Sequence, residues 1–522
     1  MPFPRLALVA QLLLCAAAPV AAAAAPRGWN SYMSTGTCVN EAEALATAEY
    51  MAAHLVPHGY DVLFLDEGWS KKDGIIIVDE FGRPTPNTDL YPSARGGLGL
   101  APLSKALSER GVQLGLWFMR GVPRRAAQSF LPIWGSDNAT AADAVRCARS
   151  ALVSNCSRAS DAPPLPPRFD KNCFWSISCY GSNYPAPAAV EYYASVASLL
   201  KTWGVAWIKA DCFFPNLPAT ETQPNGYFDE DVEGFGAAMA AANINVMFSP
   251  GISVTPTNAS YMARTRHAVS YRVTEDLWDL WRSAEDGTFP TGIKQKLAKA
   301  EEFAAFIGSN DTFPDLDMLP FGTMWHATKE EGVHGPASPT RLTRDEQTTA
   351  MTLWCITRAP LILGARLPLD AGDDFTLALV TNPEILYLQE STTDNMPLAM
   401  PVTEQHAWTA VPAQCPPDAR GRCVILALFN AADGAAVVSV DLSVLGLGAH
   451  GVVIRQLRQT APANNTLCAR DLWARQLLPS PDAEASSFSR QLPAHGAGAY
   501  LLWRTDSGEC STGDLSGAQP DV

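Results

Sequence analysis

A chain of 522 residues exceeds what one hydrophobic core usually serves, so a large domain with a smaller companion is expected. With 47% apolar and 17% charged residues and no low-complexity tract, the composition excludes extended disorder. A net charge of -15 opposes nucleic acid and anionic membrane surfaces as partners but is indifferent to a neutral sugar.

Residues 6–25, LALVAQLLLCAAAPVAAAAA behind Arg5, have the charge, apolar stretch and small-residue ending of a cleavable export signal, so 1–25 are set aside from the fold. Short apolar runs at 62–65, 112–119, 205–208, 244–248 and 268–273 alternate with helical stretches, the pattern of parallel strands joined by crossover helices. Asn40 with Glu43 forms a capping box ahead of Leu45, Ala48, Met51, Ala52 and Leu55 at helical spacing. Thr343 and Glu346 open a second helix, apolar through Met351, Leu353, Trp354 and Ile356. These signals predict an α/β domain over 26–394, an eight-stranded (β/α)8 TIM barrel or an open doubly wound sheet, with a cysteine-bearing insertion around 121–190. From 395 to 505 the pattern becomes alternating strands, including 424–429 and 437–442 around an Asp433-Gly434 turn, and predicts an antiparallel β-sandwich. Residues 506–522 read as a disordered tail.

Of the 12 cysteines, Cys15 falls in the leader, and the close pairs Cys147 with Cys156, Cys173 with Cys179 and Cys415 with Cys423 point to local disulfides, with one cysteine left over. Sequons at Asn138, Asn155, Asn258, Asn310 and Asn464 fit an exported glycoprotein. Localisation in the secretory pathway is expected, ending outside the cell or in a lysosome- or vacuole-like compartment.

Several apolar runs end in polar residues: Asp66 and Glu67, Lys209 and Asp211, Arg272 and Asp276, Asp315 and Asp317. In a closed barrel these strand ends converge on one mouth, where active sites are built. Lys209 and Asp211 are two apart and share a strand face. Such a pair is either a structural ion pair or a nucleophile beside a cation. Retaining hydrolysis of a glycosidic bond requires two carboxyls about 5 Å apart, one attacking and one protonating the leaving oxygen. Asp211 and Asp276 meet that need if the strands close, with Lys209 keeping Asp211 ionised and apolar neighbours Tyr271, Leu277 and Trp278 favouring an un-ionised acid at Asp276. Cys212 is a disulfide partner or a small buried residue. The acidic run Asp229-Glu230-Asp231 lacks calcium-loop spacing and reads as solvated surface. Eight histidines without a His-Glu-x-x-His motif, and no glycine-rich phosphate loop, imply no metal and no cofactor.

The segment Arg27-Gly28-Trp29-Asn30-Ser31-Tyr32 resembles the Gly-Trp-Asn-Ser-Trp opening of glycoside hydrolase family 27, the melibiases. In the same order follow Leu65-Asp66-Glu67-Gly68-Trp69, similar to its Asp-Asp-Cys-Trp segment, and Lys209-Ala210-Asp211, similar to its nucleophile strand Lys-Tyr-Asp. Next come Tyr271-Arg272 with Asp276 four residues after the arginine, then Pro314-Asp315-Leu316-Asp317-Met318-Leu319 and Ala359-Pro360-Leu361. The resemblance implies a TIM barrel followed by a sandwich, Asp211 as nucleophile, Asp276 as acid/base, and a sugar subsite lined by Trp29, Asp66, Glu67, Trp117, Lys209 and Arg272. Ser249 stands in the Phe248-Ser249-Pro250-Gly251 segment that replaces the family's Ser-Cys-Glu-Trp, and Phe118-Met119-Arg120-Gly121 replaces Ala-Asp-Val-Gly. Ser249 joins the expected substrate-binding set.

The expected activity is hydrolysis of terminal α-D-galactosides on an oligosaccharide or glycoconjugate, with no nucleic-acid partner and no membrane partner once the signal is removed. Glu67 stands where the family carries a shorter aspartate, and a methylene in a close pocket is worth about 1–3 kcal/mol. The alternative is therefore a β-L-arabinopyranosidase of the same fold, arabinopyranose being galactose without its exocyclic carbon. Two further readings are an α-N-acetylgalactosaminidase and a catalytically inactive, lectin-like sugar-binding barrel.

Overall fold

The computed structural model describes residues 25–145, 173, 176, 178–213, 229–249, 259, 267–283, 290–325, 337–419, 423–442, 466–479, 486–505 and 508–515. The leader up to residue 24, Cys147, Cys156, Asn155, Asn258, Asn464, Pro250 and Gly251 lie outside them.

Eight parallel strands follow one another in chain order: β1 (Arg27–Asn30), β2 (Tyr60–Leu65), β3 (Gln113–Met119), β4 (Val205–Asp211), β5 (Asn245–Ser249), β6 (Ser270–Arg272), β7 (Phe313–Asp315) and β8 (Leu361–Leu363). β8 pairs with β1, and a parallel bridge from Leu319 to Leu363 closes the other seam. The sheet is thus a barrel, which settles the choice against an open sheet. Side-chain alternation divides each strand. Val62, Phe64, Trp207, Met247 and Ile362 fill the inside. Leu63, Leu65, Ile208, Ala210, Val246 and Tyr271 face the surrounding helices.

Helix α1 (Glu41–His54) begins at the predicted box, with the Glu43 amide donating to Asn40 Oδ1 at 3.1 Å and the Asn40 amide to Glu43 Oε2 at 3.1 Å. Its buried residues are Ala44, Thr47, Ala48 and Met51, a face turned slightly from the one expected. Helix α2 (Asp229–Ala241) packs on the barrel between β4 and β5, and helix α3 (Arg344–Ile356) starts at the Thr343 and Glu346 box.

Beyond the barrel, β9 (Thr392–Leu398), β10 (Gln405–Pro412), β11 (Cys423–Asn430), β12 (Ala436–Asp441), β13 (Thr466–Asp471), β14 (Gln476–Leu477), β15 (Ser487–Leu492) and β16 (Ala497–Thr505) form two antiparallel sheets. The larger runs β9-β10-β11-β16-β13-β14 and the smaller is β12-β15. Asp433-Gly434 therefore carries the chain from one sheet to the other and does not close a hairpin between β11 and β12.

The expectation of a disordered tail is corrected over 508–515. Cys510 is bonded to Cys468, Ser511 to Asp418, the Thr512 carbonyl accepts from Arg470, and Leu515 is buried. The disulfides also correct the local pairing: Cys173 bonds to Cys212 across 39 residues, and Cys415 to Cys423 as expected. Cys179, whose expected partner Cys173 is taken by Cys212, is a buried free thiol on a short strand paired with Val122–Pro123. Cys38 and Cys355 are also free among the described residues.

Candidate active site

The inward positions of adjacent strands end in polar side chains at one mouth. Asp66 is continuous in parity with Val62 and Phe64, and Lys209 and Asp211 with Trp207. Asp66 is 2% exposed and accepts from Lys209 Nζ at 2.8 Å and Asn30 Nδ2 at 2.7 Å. Glu67 follows on a turn and is ion-paired with Lys71, whose ammonium lies 5.4 Å from the centre of the Trp117 ring. That turn is fixed by Gly68 (φ +110°), where an added Cβ would sit 2.1 Å from the Thr37 carbonyl oxygen.

Asp211 is part-buried at the end of β4. Its Oδ2 accepts from the Trp117 indole at 2.9 Å and its Oδ1 from the Cys212 amide at 2.7 Å. Burial pushes its carboxyl up to about 6, against the opposing pull of Lys209, Arg272 and the indole N–H, while Asp276 adds to the rise. Lys209 thus acts in the expected direction, but desolvation outweighs it.

Arg272, 4% exposed at the end of β6, pairs with Asp276 and reaches Asp317 at 3.4 Å. Asp276 is not buried among apolar neighbours: its side chain is 45% exposed and held by the guanidinium. Beside it, burial and the Asp276 charge push Glu275 up to about 7, and burial pushes Lys296 down to about 7. Lys296 donates to the Glu275 carbonyl at 3.0 Å and to Thr274 Oγ1. Asp315 is pushed up to about 6 by burial and by Asp317. Asp317 is held below the usual range by Arg272 and Lys296 despite its burial.

Beside these groups lies a small hollow, lined among others by Asn30, Lys209, Ser249, Arg272, Asp315 and Asp317 over a floor of Phe64, Met247 and Ile362, with neither Asp211 nor Asp276 in its lining. Ser249 Oγ is buried in this wall without a hydrogen-bond partner among the described residues. The structure therefore brings Asp66, Glu67, Trp117, Lys209, Ser249, Arg272, Asp211 and Asp276 to the mouth.

Trp29 is the exception. It is 2% exposed, belongs to the layer between barrel and helices, and donates its indole N–H to the Ala365 carbonyl at 2.6 Å. The reason is parity: Asn30 points inward, so its neighbour Trp29 points outward. On this segment the aromatic that faces the site is Tyr32, whose ring lies 5.9 Å from Lys209 Nζ and whose hydroxyl is pushed up by burial and by Asp276, Asp66, Glu67 and Asp211 together. Asn30 and Tyr32 are the residues the sequence reasoning missed. Two-residue periodicity could have found Asn30, whereas Tyr32 lies past the strand, where periodicity stops. The acidic run is also corrected: Asp231 is wholly buried and paired with Arg120.

A closed (β/α)8 barrel with carboxylates and cations gathered at one mouth, followed by a β-sandwich, is the architecture expected of a glycosidase. No family model matches this chain. A glycoside hydrolase family 27 β-L-arabinopyranosidase from Geobacillus stearothermophilus superposes with a TM-score of 0.73 at 27% identity, covering 92% of this chain and 97% of that one. Alpha-galactosidase I of Mortierella vinacea shares the fold, with a TM-score of 0.62 at 15% identity over 94% of this chain and 99% of that one. In sequence, the alpha-galactosidase of Cyamopsis tetragonoloba is 22% identical over 482 residues, 91% of this chain and 85% of that one. The chain has the fold of the family 27, or melibiase, superfamily, and it is a glycosyl hydrolase of that type.

Proposed function

We propose that this enzyme is a retaining exo-glycosidase that removes terminal β-L-arabinopyranosyl residues in preference to α-D-galactosyl ones. The observation that carries the preference is Glu67 at the mouth, one methylene longer than aspartate and tied to Lys71. Together the two side chains take up room that the exocyclic carbon of a hexose would need. The likeness to the Geobacillus arabinopyranosidase at 27% identity supports the same reading over the α-galactoside expectation.

In this reading an Asp211 oxygen attacks the anomeric carbon as the bond to the leaving oxygen breaks, and Asp276 gives that oxygen its proton. Water, deprotonated by the Asp276 carboxylate, then attacks the glycosyl ester and Asp211 leaves with its electron pair. The Trp117 and Cys212 N–H groups hold the attacking carboxylate in orientation. Asp66, Lys209 and Arg272 supply partners for ring hydroxyls. Export through a cleaved leader belongs to the same proposal, supported by disulfides such as Cys415–Cys423 and Cys468–Cys510, which form in oxidising compartments.

The test compares kcat/KM on 4-nitrophenyl β-L-arabinopyranoside and 4-nitrophenyl α-D-galactoside. The arabinopyranoside is expected to lead by about tenfold or more, and Glu67→Asp to narrow the gap. A ratio that Glu67→Asp leaves untouched removes the explanation. Fluorinated glycosyl reagents label Asp211 in an enzyme and leave a sugar-binding barrel unlabelled.

A further inference from the structure

The Asp211 carboxylate accepts a hydrogen bond from the very next peptide, and that peptide is strained. Cys212 has φ +61°, a left-handed conformation that a non-glycine residue keeps only when its surroundings impose it. In that conformation the Cys212 amide points at Asp211 Oδ1 (2.7 Å) and also at the Ser249 carbonyl (3.1 Å). The other side of the residue is anchored twice. Its sulfur is bonded to Cys173, and its carbonyl accepts from Arg120 Nε at 2.7 Å.

Arg120 itself leaves no room for an alternative pose. Its main-chain amide donates to the Asp211 carbonyl at 3.1 Å, and its Nη1 meets Asp231 Oδ2 at 3.0 Å, with the two side chains 1% and 0% exposed. The second oxygen of Asp231 accepts from Ser182 Oγ at 2.5 Å and from Tyr193 Oη at 3.1 Å. A buried ion pair contributes little as packing, since two desolvation penalties oppose its attraction, and an apolar residue would fill the space at least as well. What the guanidinium adds is a fixed fork joining α2 to the backbone around Asp211.

From this we infer that Arg120, oriented by Asp231, is a positioning residue that locks the Asp211–Cys212 peptide so that its N–H stays aimed at the reacting carboxylate. The inference rests on Asp211 being the nucleophile. Arg120→Lys keeps the charge beside Asp231, but a single ammonium cannot hold both Asp231 and the Cys212 carbonyl in the same geometry. Asp231→Asn removes the charge that orients the guanidinium at nearly constant volume.

The test measures kcat, KM, the pH profile and the rate and amplitude of covalent trapping by a 2-deoxy-2-fluoro glycosyl fluoride in both variants. Expected are a kcat lower by about 100-fold for Arg120→Lys, a KM within about threefold, and trapping slowed by the same factor as kcat but complete in amplitude. The acidic limb of kcat/KM is expected to move to higher pH as the carboxylate loses its N–H donor. The groups facing that carboxylate, namely Lys209 on its own strand, Trp117 on β3, Arg272 and Asp276 beyond β6, and Tyr32 beyond β1, are the same in both variants. If trapping amplitude falls while the rate per labelled site holds, Arg120 is merely scaffold and the inference is overturned. A change confined to KM overturns it too. Should Arg120→Lys fail to fold, Asp231→Asn alone decides by the same readouts. Absence of label on Asp211 in the unmodified enzyme would overturn the nucleophile assignment and this inference with it, whereas normal labelling with unchanged rates in the variants overturns the inference alone.

Discussion

Asp211 sits under opposing forces, and the balance sets its pH behaviour. Removal from water raises its pKa more than Lys209, Arg272 and the Trp117 indole lower it, so it rests at about 6. A nucleophile must be ionised, so kcat/KM is expected to fall about tenfold per pH unit below that value. Lys209 supplies the largest opposing pull. Lys209→Met should therefore shift the acidic limb upward, which a pH–rate profile on the aryl glycoside reads directly. An unmoved limb would show that a different group controls it. The fold imposes a cost here as well. Because the folded pKa lies above the unfolded one, the ionised carboxylate weakens folding progressively as pH rises from the unfolded pKa of about 3.9 through the folded value. At this scale the sequence was legible wherever a residue lay on a regular strand: the two-residue spacing of Lys209 and Asp211 correctly placed them on one face. It failed for Trp29 because a motif match outranked parity, and for Asp276 because apolar neighbours in sequence did not surround it in space.

Helices and strands were the most legible elements, since each capping box is a local signal and each barrel strand repeats one alternation. Asn40 caps α1, whose buried residues pack on the barrel's outside. Replacing it with alanine should cost about 1 kcal/mol, seen as a lower urea midpoint at unchanged slope, and leave kcat and KM alone. A change in KM would mean that α1 communicates with the mouth. What local signals did not reveal was which partner an element meets. Asp231 looked like one of three solvated acids, yet it precedes Phe235 and Met239 by four and eight residues and so lies on the apolar face of α2. An acid on such a face is a cue to look for a buried cation, and Arg120 was already conspicuous as a departure from the family pattern. Likewise Asp433-Gly434 is a sound turn signal, but a turn does not say whether the next strand joins the same sheet. Short cysteine spacing misled for a related reason: Cys173 is bonded to Cys212, 39 residues away, a contact that chain proximity does not encode.

Across the whole molecule, barrel and sandwich share one core. Trp354, Ile356 and Leu388 belong to the same apolar cluster as Trp408, Phe429 and Trp503. The polar ties are equally direct. Arg470 of β13 forms a forked pair with Glu384, at 2.9 and 2.6 Å, with side chains 7% and 0% exposed. His495 bonds to Glu346 at 2.7 Å and stacks on Trp281 at 4.1 Å, so the sandwich also touches the loop that follows Asp276. None of these partners is close in sequence, and each reads as an ordinary residue until the two units are docked. A junction this continuous should unfold with the rest, giving one cooperative transition in which activity and sandwich structure are lost together. Arg470→Met leaves the buried Glu384 carboxylate with only the more distant, half-exposed Arg475 at 3.6 Å and should cost toward the lower end of about 3–5 kcal/mol, lowering the whole transition in a calorimetric scan. Pairing it with Glu384→Leu should recover most of that loss, because the expense lies in the orphaned charge and not in the missing attraction. Two separate transitions, with activity surviving the first, would instead show that the barrel stands without the sandwich.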